Sequence, residues 1–192
     1  MFIPIKDIYD LTEKVKNTYD ERNLVSLANR MGAAVEFKRL GRNRKSCKAM
    51  YTQISQFKLI TINSDMTNDE VEIVLPHEIG HVALKHKADL PLLDHRLLNT
   101  ANEMEISANF FSADYKIEDN DVFGLAKDGV DFFTIAKILR VYSGLLVYKY
   151  HSMSTRGYEF LQSPEDIQAR YLNECERALK VAEDFDINAF DD

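Results

Sequence analysis

Ile5, Ile8, Leu11 and Val15 recur at steps of three and four, the spacing of one helix face. A shorter helical stretch through Leu24, Leu27, Ala28 and Met31 is expected to stop at Gly32, a residue suited to the left-handed turn after a helix end. The period then changes to two. Ala34 to Leu40, Lys48 to Ile54 and Phe57 to Asn63 read as three strands, with Lys58/Ile60/Ile62 alternating against Phe57/Leu59/Thr61, and the expected arrangement is a small antiparallel meander. From Thr67 the helical period returns. Thr67 and Glu70 are spaced as a capping box ahead of Val71, Val74 and Leu75. A long helix is expected from about Asp94 to Tyr115, with shorter ones near Asp119 to Lys127, Phe132 to Arg140 and Leu145 to His151. A last one opens at Ser163-Pro164-Glu165. No repeat or Gly/Pro/Ser-rich linker divides the chain, whose 7 Gly and 4 Pro are scattered. The pattern predicts an α+β fold in one domain over 1–192, with N-terminal helices (5–32), a sheet (34–63), two helices carrying the chemistry (68–115) and C-terminal helices (119–183).

Composition narrows the function classes. The 192 residues are 45% hydrophobic and 29% charged, which fits an ordinary globular core rather than disorder. A net charge of −7 has the wrong sign for a protein held to nucleic acid or anionic lipid by bulk charge, so no direct nucleic-acid or membrane partner is expected. No charged leader with an apolar core opens the chain, and no apolar run is long enough to span a bilayer. A cytoplasmic protein is expected, with Cys47 and Cys175 kept as thiols. The cluster Lys38, Arg39, Arg42, Arg44, Lys45 and Lys48 reads as a solvated hairpin tip.

Residues 77 to 81 read His77-Glu78-Ile79-Gly80-His81, the H-E-x-x-H pattern, on a stretch that is otherwise helical. Two imidazoles four residues apart stand one turn apart on one helix face and can point at a single Zn²⁺. Glu78 lies about 100° round the helix, beside the ion rather than bonded to it, where it can take a proton from water and pass it to a leaving group. A catalytic zinc takes a third protein ligand from a neighbouring element. Leu98, Ala101, Glu105, Ala108 and Ser112 share a face of small or apolar residues, whereas Glu103 falls about 200° away among polar ones. A carboxylate on a buried face is costly unless paired or metal-bound, so Glu105 is the expected third ligand. Asn109, on the same side, is placed to accept a hydrogen bond from the far ring nitrogen of a ligand histidine.

His77-Glu78-x-x-His81 followed by Glu105-x-x-Ala108-Asn109 resembles the Glu-zincin arrangement. More specifically, Leu59-Ile60-Thr61-Ile62-Asn63 before a capped helix, then Val74-Leu75-x-His77-Glu78-Ile79-Gly80-His81, then Ala108-Asn109-x-Phe111-Ser112-Ala113, resembles the ImmA/IrrE family of metallopeptidases over about residues 20 to 150. The resemblance implies a zincin-like domain and a substrate that is a helix-turn-helix transcriptional repressor of a phage, mobile element or stress regulon. Three departures from the family pattern stand out. Pro76 precedes His77 and is expected to kink the helix, since it gives no hydrogen bond to the Glu72 carbonyl. Ser107 stands where the family often has a second acid, and Tyr115-Lys116-Ile117 replaces the usual Leu-Leu-Met-Pro.

Other residues carry weaker expectations. His86, about 140° round from His81 on a continuing helix, reads as a surface or second-site histidine, and His95 as exposed. His151, Tyr51, Tyr142, Tyr148 and Tyr150 form the pool from which a donor to a developing oxyanion could come. Asp131 to Met153 has a helix-turn-helix rhythm but too few basic residues on its second helix to read DNA, so packing against the core or docking a repressor is expected. Cys47 reads as structural. Ile167, Tyr171, Cys175, Leu179 and Ala182 form a core stripe followed by a solvated acidic tail. The reaction expected is zinc-assisted hydrolysis of a peptide bond, with an extended substrate added as a strand at an exposed sheet edge. Two other readings share the same residues: a regulator of the same fold that displaces a repressor without cutting it, and a hydrolase of a small amide.

Overall fold

A computed structural model describes residues 3–43, 46–87 and 103–173. The chain runs α1 (Ile5–Tyr19), α2 (Leu24–Arg30), β1 (Ala33–Lys38), β2 (Ala49–Ile54), β3 (Phe57–Asn63), α3 (Asn68–Ala83), α4 (Glu103–Lys116), α5 (Asp119–Lys127), α6 (Phe132–Leu139) and α7 (Ser143–Thr155). Residues 164–173 are also helical. The architecture is α+β. The stretch 94–102 of the expected long helix, His95, Cys175 and the acidic tail lie outside the described residues. Gly32 takes φ +82° just past α2, as its position led us to expect.

The sheet corrects the expected meander. Its order is β1-β3-β2, with β3 central, antiparallel to β2 and parallel to β1. Alternation marks a strand but is silent on which neighbours pair. β3 takes the centre because its second half is buried on both faces, Ile60 and Ile62 on one and Thr61 and Asn63 on the other. A parallel β1–β3 pair needs a crossover, and residues 39–56, which include β2, supply it. Of the basic cluster, Lys38 ends β1, Arg39, Arg42 and Lys48 lie on this connection and not at a hairpin tip, and Arg44 and Lys45 lie outside the described residues. Lys38 pairs with Glu36, Lys48 with Glu70, and Arg42 donates to the Asp65 carbonyl. Asn63 fastens the connection with its whole amide. Its Oδ1 accepts from the Leu40 and Asp65 backbone N–H groups, and its Nδ2 donates to the carbonyls of Gly41 and Cys47.

α1, α2, the inner face of the sheet and α3 enclose one apolar cluster, and α5, α6, α7 and Ile167 enclose a second. α4 stands between them and is buried from Ser107 to Asp114 without a break, so small residues and the hydrogen-bonded Asn109 and Asp114 interrupt a simple apolar stripe there. α7 is buried through Leu145–Val147, Lys149, Tyr150, Ser152 and Met153, which identifies the helix-turn-helix rhythm of residues 131–153 as core packing.

The second cluster is pinned by buried charge. Lys149, 1% exposed, lies 3.0 Å from Asp114 Oδ1 and 2.7 Å from Asp119 Oδ1. The Ser152 hydroxyl donates to Asp114 Oδ2, while Arg156 forks onto Asp119 and stacks 3.6 Å above the Tyr9 ring of α1. Burial alone would raise the Asp119 carboxyl, but hydrogen bonds from Arg156 and Lys149 outweigh it and hold the group at about 2 against an ordinary 3.8. A lowered carboxyl stabilises the fold above pH 3.8, and that contribution disappears as the pH falls through 2. Burial pushes Asp114 the other way, so the comparison has to isolate Asp119. Urea denaturation between these pH values is expected to show wild type losing about 2 kcal/mol more than Asp119→Asn; parallel pH profiles would remove Asp119 from the account.

Candidate metal centre

The Thr67/Glu70 capping box starts α3: Thr67 Oγ1 accepts from the Glu70 N–H while Glu70 Oε2 accepts from the Thr67 N–H. From there the helix runs to Ala83 with Pro76 inside it, one turn of its buried half carrying His77, Glu78 and His81. α4 crosses it at close range because Gly80 has no side chain. A Cβ at Gly80 would stand 3.1 Å from the Ala108 carbonyl oxygen and 3.2 Å from Ala108 Cα. Gly80→Val is expected to force the helices apart and to destabilise the fold by about 2 kcal/mol in urea denaturation; a change below about half a kcal/mol would mean that the close approach is not needed.

This approach brings Glu105 over the two imidazoles. His77 Nε2 is 3.1 Å from Glu105 Oε2, His81 Nε2 is 3.5 Å from Glu105 Oε1, and the two Nε2 atoms are 3.1 Å apart. Burial works to raise the Glu105 carboxyl, yet the two imidazoles against it outweigh burial and hold it well below the usual carboxylate range. For His81, burial lowers the affinity for a proton. The first effect keeps Glu105 a carboxylate, and burial keeps His81 neutral, the two states that metal ligation needs. On the far side of His77, Nδ1 lies 2.8 Å from Asn109 Oδ1, which accepts its proton and leaves Nε2 bare toward Glu105. Glu105 Oε1 is buried with no hydrogen-bond partner among the described residues. Lone pairs that converge in a buried site with one oxygen orphaned are what a divalent cation satisfies, and two nitrogens with one carboxylate oxygen, all within 4.8 Å, suit zinc. Glu78, 5% exposed, follows His77 on the same helix.

Of the two readings of His86, as a surface or a second-site histidine, the structure removes the first. His86 is buried, its Nδ1 stands 2.8 Å from His81 Nδ1, and its Nε2 is 3.3 Å from Ser107 Oγ. Burial first, and then the neighbouring imidazole of His81, push it down to about 4. α3 ends at Ala83, so the phase of a continuing helix does not apply to His86. Of the aromatic pool, Tyr148 is linked to the centre through a bridge: Asn109 Nδ2 donates to its hydroxyl at 3.3 Å. Tyr51 lays its ring parallel to His81, 6.0 Å between centroids, and donates its hydroxyl to Gln53. Tyr150 packs against Phe132 and Phe160, Tyr142 pairs with Tyr171, and His151 with Gln168, all away from the centre. Cys47 is half-buried, and its thiol donates to the Ala49 carbonyl at 3.1 Å.

One curated relative is similar to part of the chain. It is an uncharacterized immunity region protein 2 of Bacillus phage phi105, 34% identical over 62 residues, which span 32% of this chain and 39% of that protein. The profile of the IrrE N-terminal-like domain, a peptidase family, matches residues 28–150, a span that holds the whole sheet, α3 with its two histidines, and Glu105 and Asn109 of α4. With this match over most of its length, the chain belongs to the metallopeptidase family of IrrE N-terminal-like domains.

Proposed function

We propose that this chain is a zinc-dependent metallopeptidase of the cytoplasm that cleaves one specific protein, a helix-turn-helix transcriptional repressor of a phage or mobile element. The observation that carries the reading is the buried convergence of His77, His81 and Glu105, with Glu105 Oε1 accepting no hydrogen bond among the described residues. In this reading those three residues hold the metal, Asn109 orients His77, and a bound zinc supplies Lewis-acid polarisation of the scissile carbonyl. Glu78 takes the proton of the attacking water and delivers it to the departing amine, so one carboxylate serves both halves of the hydrolysis. Among the described residues β2 has β3 on one side only, and its Tyr51 lies against His81. An extended segment paired to that free edge would run past the histidines. The choice of a repressor rests on the resemblance and on the relative's place in a phage immunity region.

The test is to incubate the zinc-loaded chain with a helix-turn-helix repressor of the phage or mobile element that carries it, bound to its operator. Two repressor fragments with a new N-terminus in mass spectrometry are the expected result. Release of an intact repressor would replace this reading with that of a regulator that binds without cutting, and a repressor left whole on its operator would remove the proposed substrate.

A further inference from the structure

α3 ends in a turn that glycine ordinarily makes and lysine makes here. Lys85 has φ +56°, a left-handed conformation that costs an L-residue with a side chain about 1 kcal/mol. Around it the Lys85 N–H donates to the Val82 carbonyl and the His86 N–H to the His81 carbonyl, the paired hydrogen bonds of a Schellman end. The consequence is specific to the site. The reversed chain lays the His86 ring over His81, 4.9 Å between centroids at 68°, with the two Nδ1 atoms 2.8 Å apart.

The direction of the hydrogen bonds follows from Ser107. Its hydroxyl lies 2.8 Å from the Glu103 carbonyl and 3.0 Å from that of Met104, neither of which can donate, so its one proton is committed to the backbone of α4. Toward His86 Nε2, Ser107 Oγ can then only accept, so the His86 proton sits on Nε2. His86 Nδ1 is left as an acceptor, and the proton between the two rings belongs to His81 Nδ1. This leaves a lone pair on His81 Nε2, which faces His77 and Glu105. The chain from the α4 backbone through Ser107 and His86 thus does for His81 what Asn109 does for His77.

We propose that His86 is a positioning residue for the metal centre, fixing both the tautomer and the ring orientation of His81, with Ser107 as its anchor. The proposal rests on the metal-centre reading above and adds a residue that no motif in the sequence marks. Outer partners of ligand histidines are worth about 10–100-fold in metal affinity. The experiment compares zinc affinity by chelator competition, and the visible spectrum of the Co²⁺-loaded protein, in wild type, His86→Phe, His86→Asn and His77→Ala. Phe keeps the ring and its packing without either nitrogen, while Asn restores an acceptor oxygen near the place of Nδ1.

His86→Phe is expected to bind zinc about 10–100-fold more weakly with an altered Co²⁺ spectrum, and His86→Asn to recover most of the loss. In zinc-loaded wild type, imidazole ¹⁵N shifts should place the proton of His81 on Nδ1. If His77→Ala loses zinc while His86→Phe keeps wild-type affinity, the positioning role is overturned and the metal centre stands. Equal losses in the Phe and Asn variants would assign the effect to packing and overturn it as well. Wild type and His77→Ala binding zinc equally poorly would overturn the metal-centre reading, and the role of His86 with it.

Discussion

Glu78→Gln is expected to lose about a thousandfold in peptide-bond hydrolysis while keeping its zinc. The amide has nearly the shape of the carboxylate and fits the same buried position, 5% exposed on a helix held by its cap and by α4. What it loses is basicity. A Gln can neither take the proton of water nor deliver one to the amine, so the chemical step loses its acid–base partner while the ligands are untouched. Metal analysis by mass spectrometry gives the complementary pattern: one zinc per chain in wild type and Glu78→Gln, and none in His77→Ala or Glu105→Ala. Activity retained in Glu78→Gln would move the base elsewhere, and zinc retained in Glu105→Ala would remove the third ligand.

Lys149→Met has the largest expected effect on stability, a loss of about 3–5 kcal/mol. Met matches the length of the lysine stem, so the cost is not a cavity. Asp114 is fully buried, and without Lys149 its partners among the described residues are the Ser152 hydroxyl and Arg156 at 3.8 Å. A carboxylate stranded there is far more costly than the ion pair is worth, and proteins of this size are stable by only about 5–15 kcal/mol. The double variant Lys149→Met/Asp114→Leu is expected to recover much of the loss by removing both charges together. Urea denaturation of the four species forms the cycle. Additive losses in the double variant would show that the two charges do not depend on each other.

The helices were readable because their signals are local. The step of three and four in α1, the Thr67/Glu70 box of α3 and Gly32 after α2 each act within a turn or two of chain, and each appears in place. Glu105 could be singled out from Glu103 by the same means, since helical phase is a local property, and it is Glu105 that meets the histidines. Where the sequence reading failed, a non-local choice or an unusual backbone angle decided. The order β1-β3-β2 depends on which strand is buried on both faces, and alternation within one strand does not contain that information. His86 was misplaced because helical phase was extended across Lys85, a residue with no intrinsic preference for the left-handed turn it makes. The Asp114–Lys149–Asp119–Arg156 cluster joins α4, α5 and the chain around α7, and each member alone resembles a surface charge.

By itself, then, the sequence determined the residue types of the centre, their helical spacing and the ends of the elements that carry them, because capping, periodicity and phase are settled within a few residues. The convergence of those residues was decided only in the tertiary structure. α3 and α4 meet where Gly80 lets Ala108 in, and that contact sets the distance between Glu105 and the two imidazoles. The partners behind the imidazoles, Asn109 for His77 and His86 with Ser107 for His81, likewise depend on chain segments folding back on one another, because a hydrogen bond needs its two atoms within about 3 Å whatever their separation in sequence.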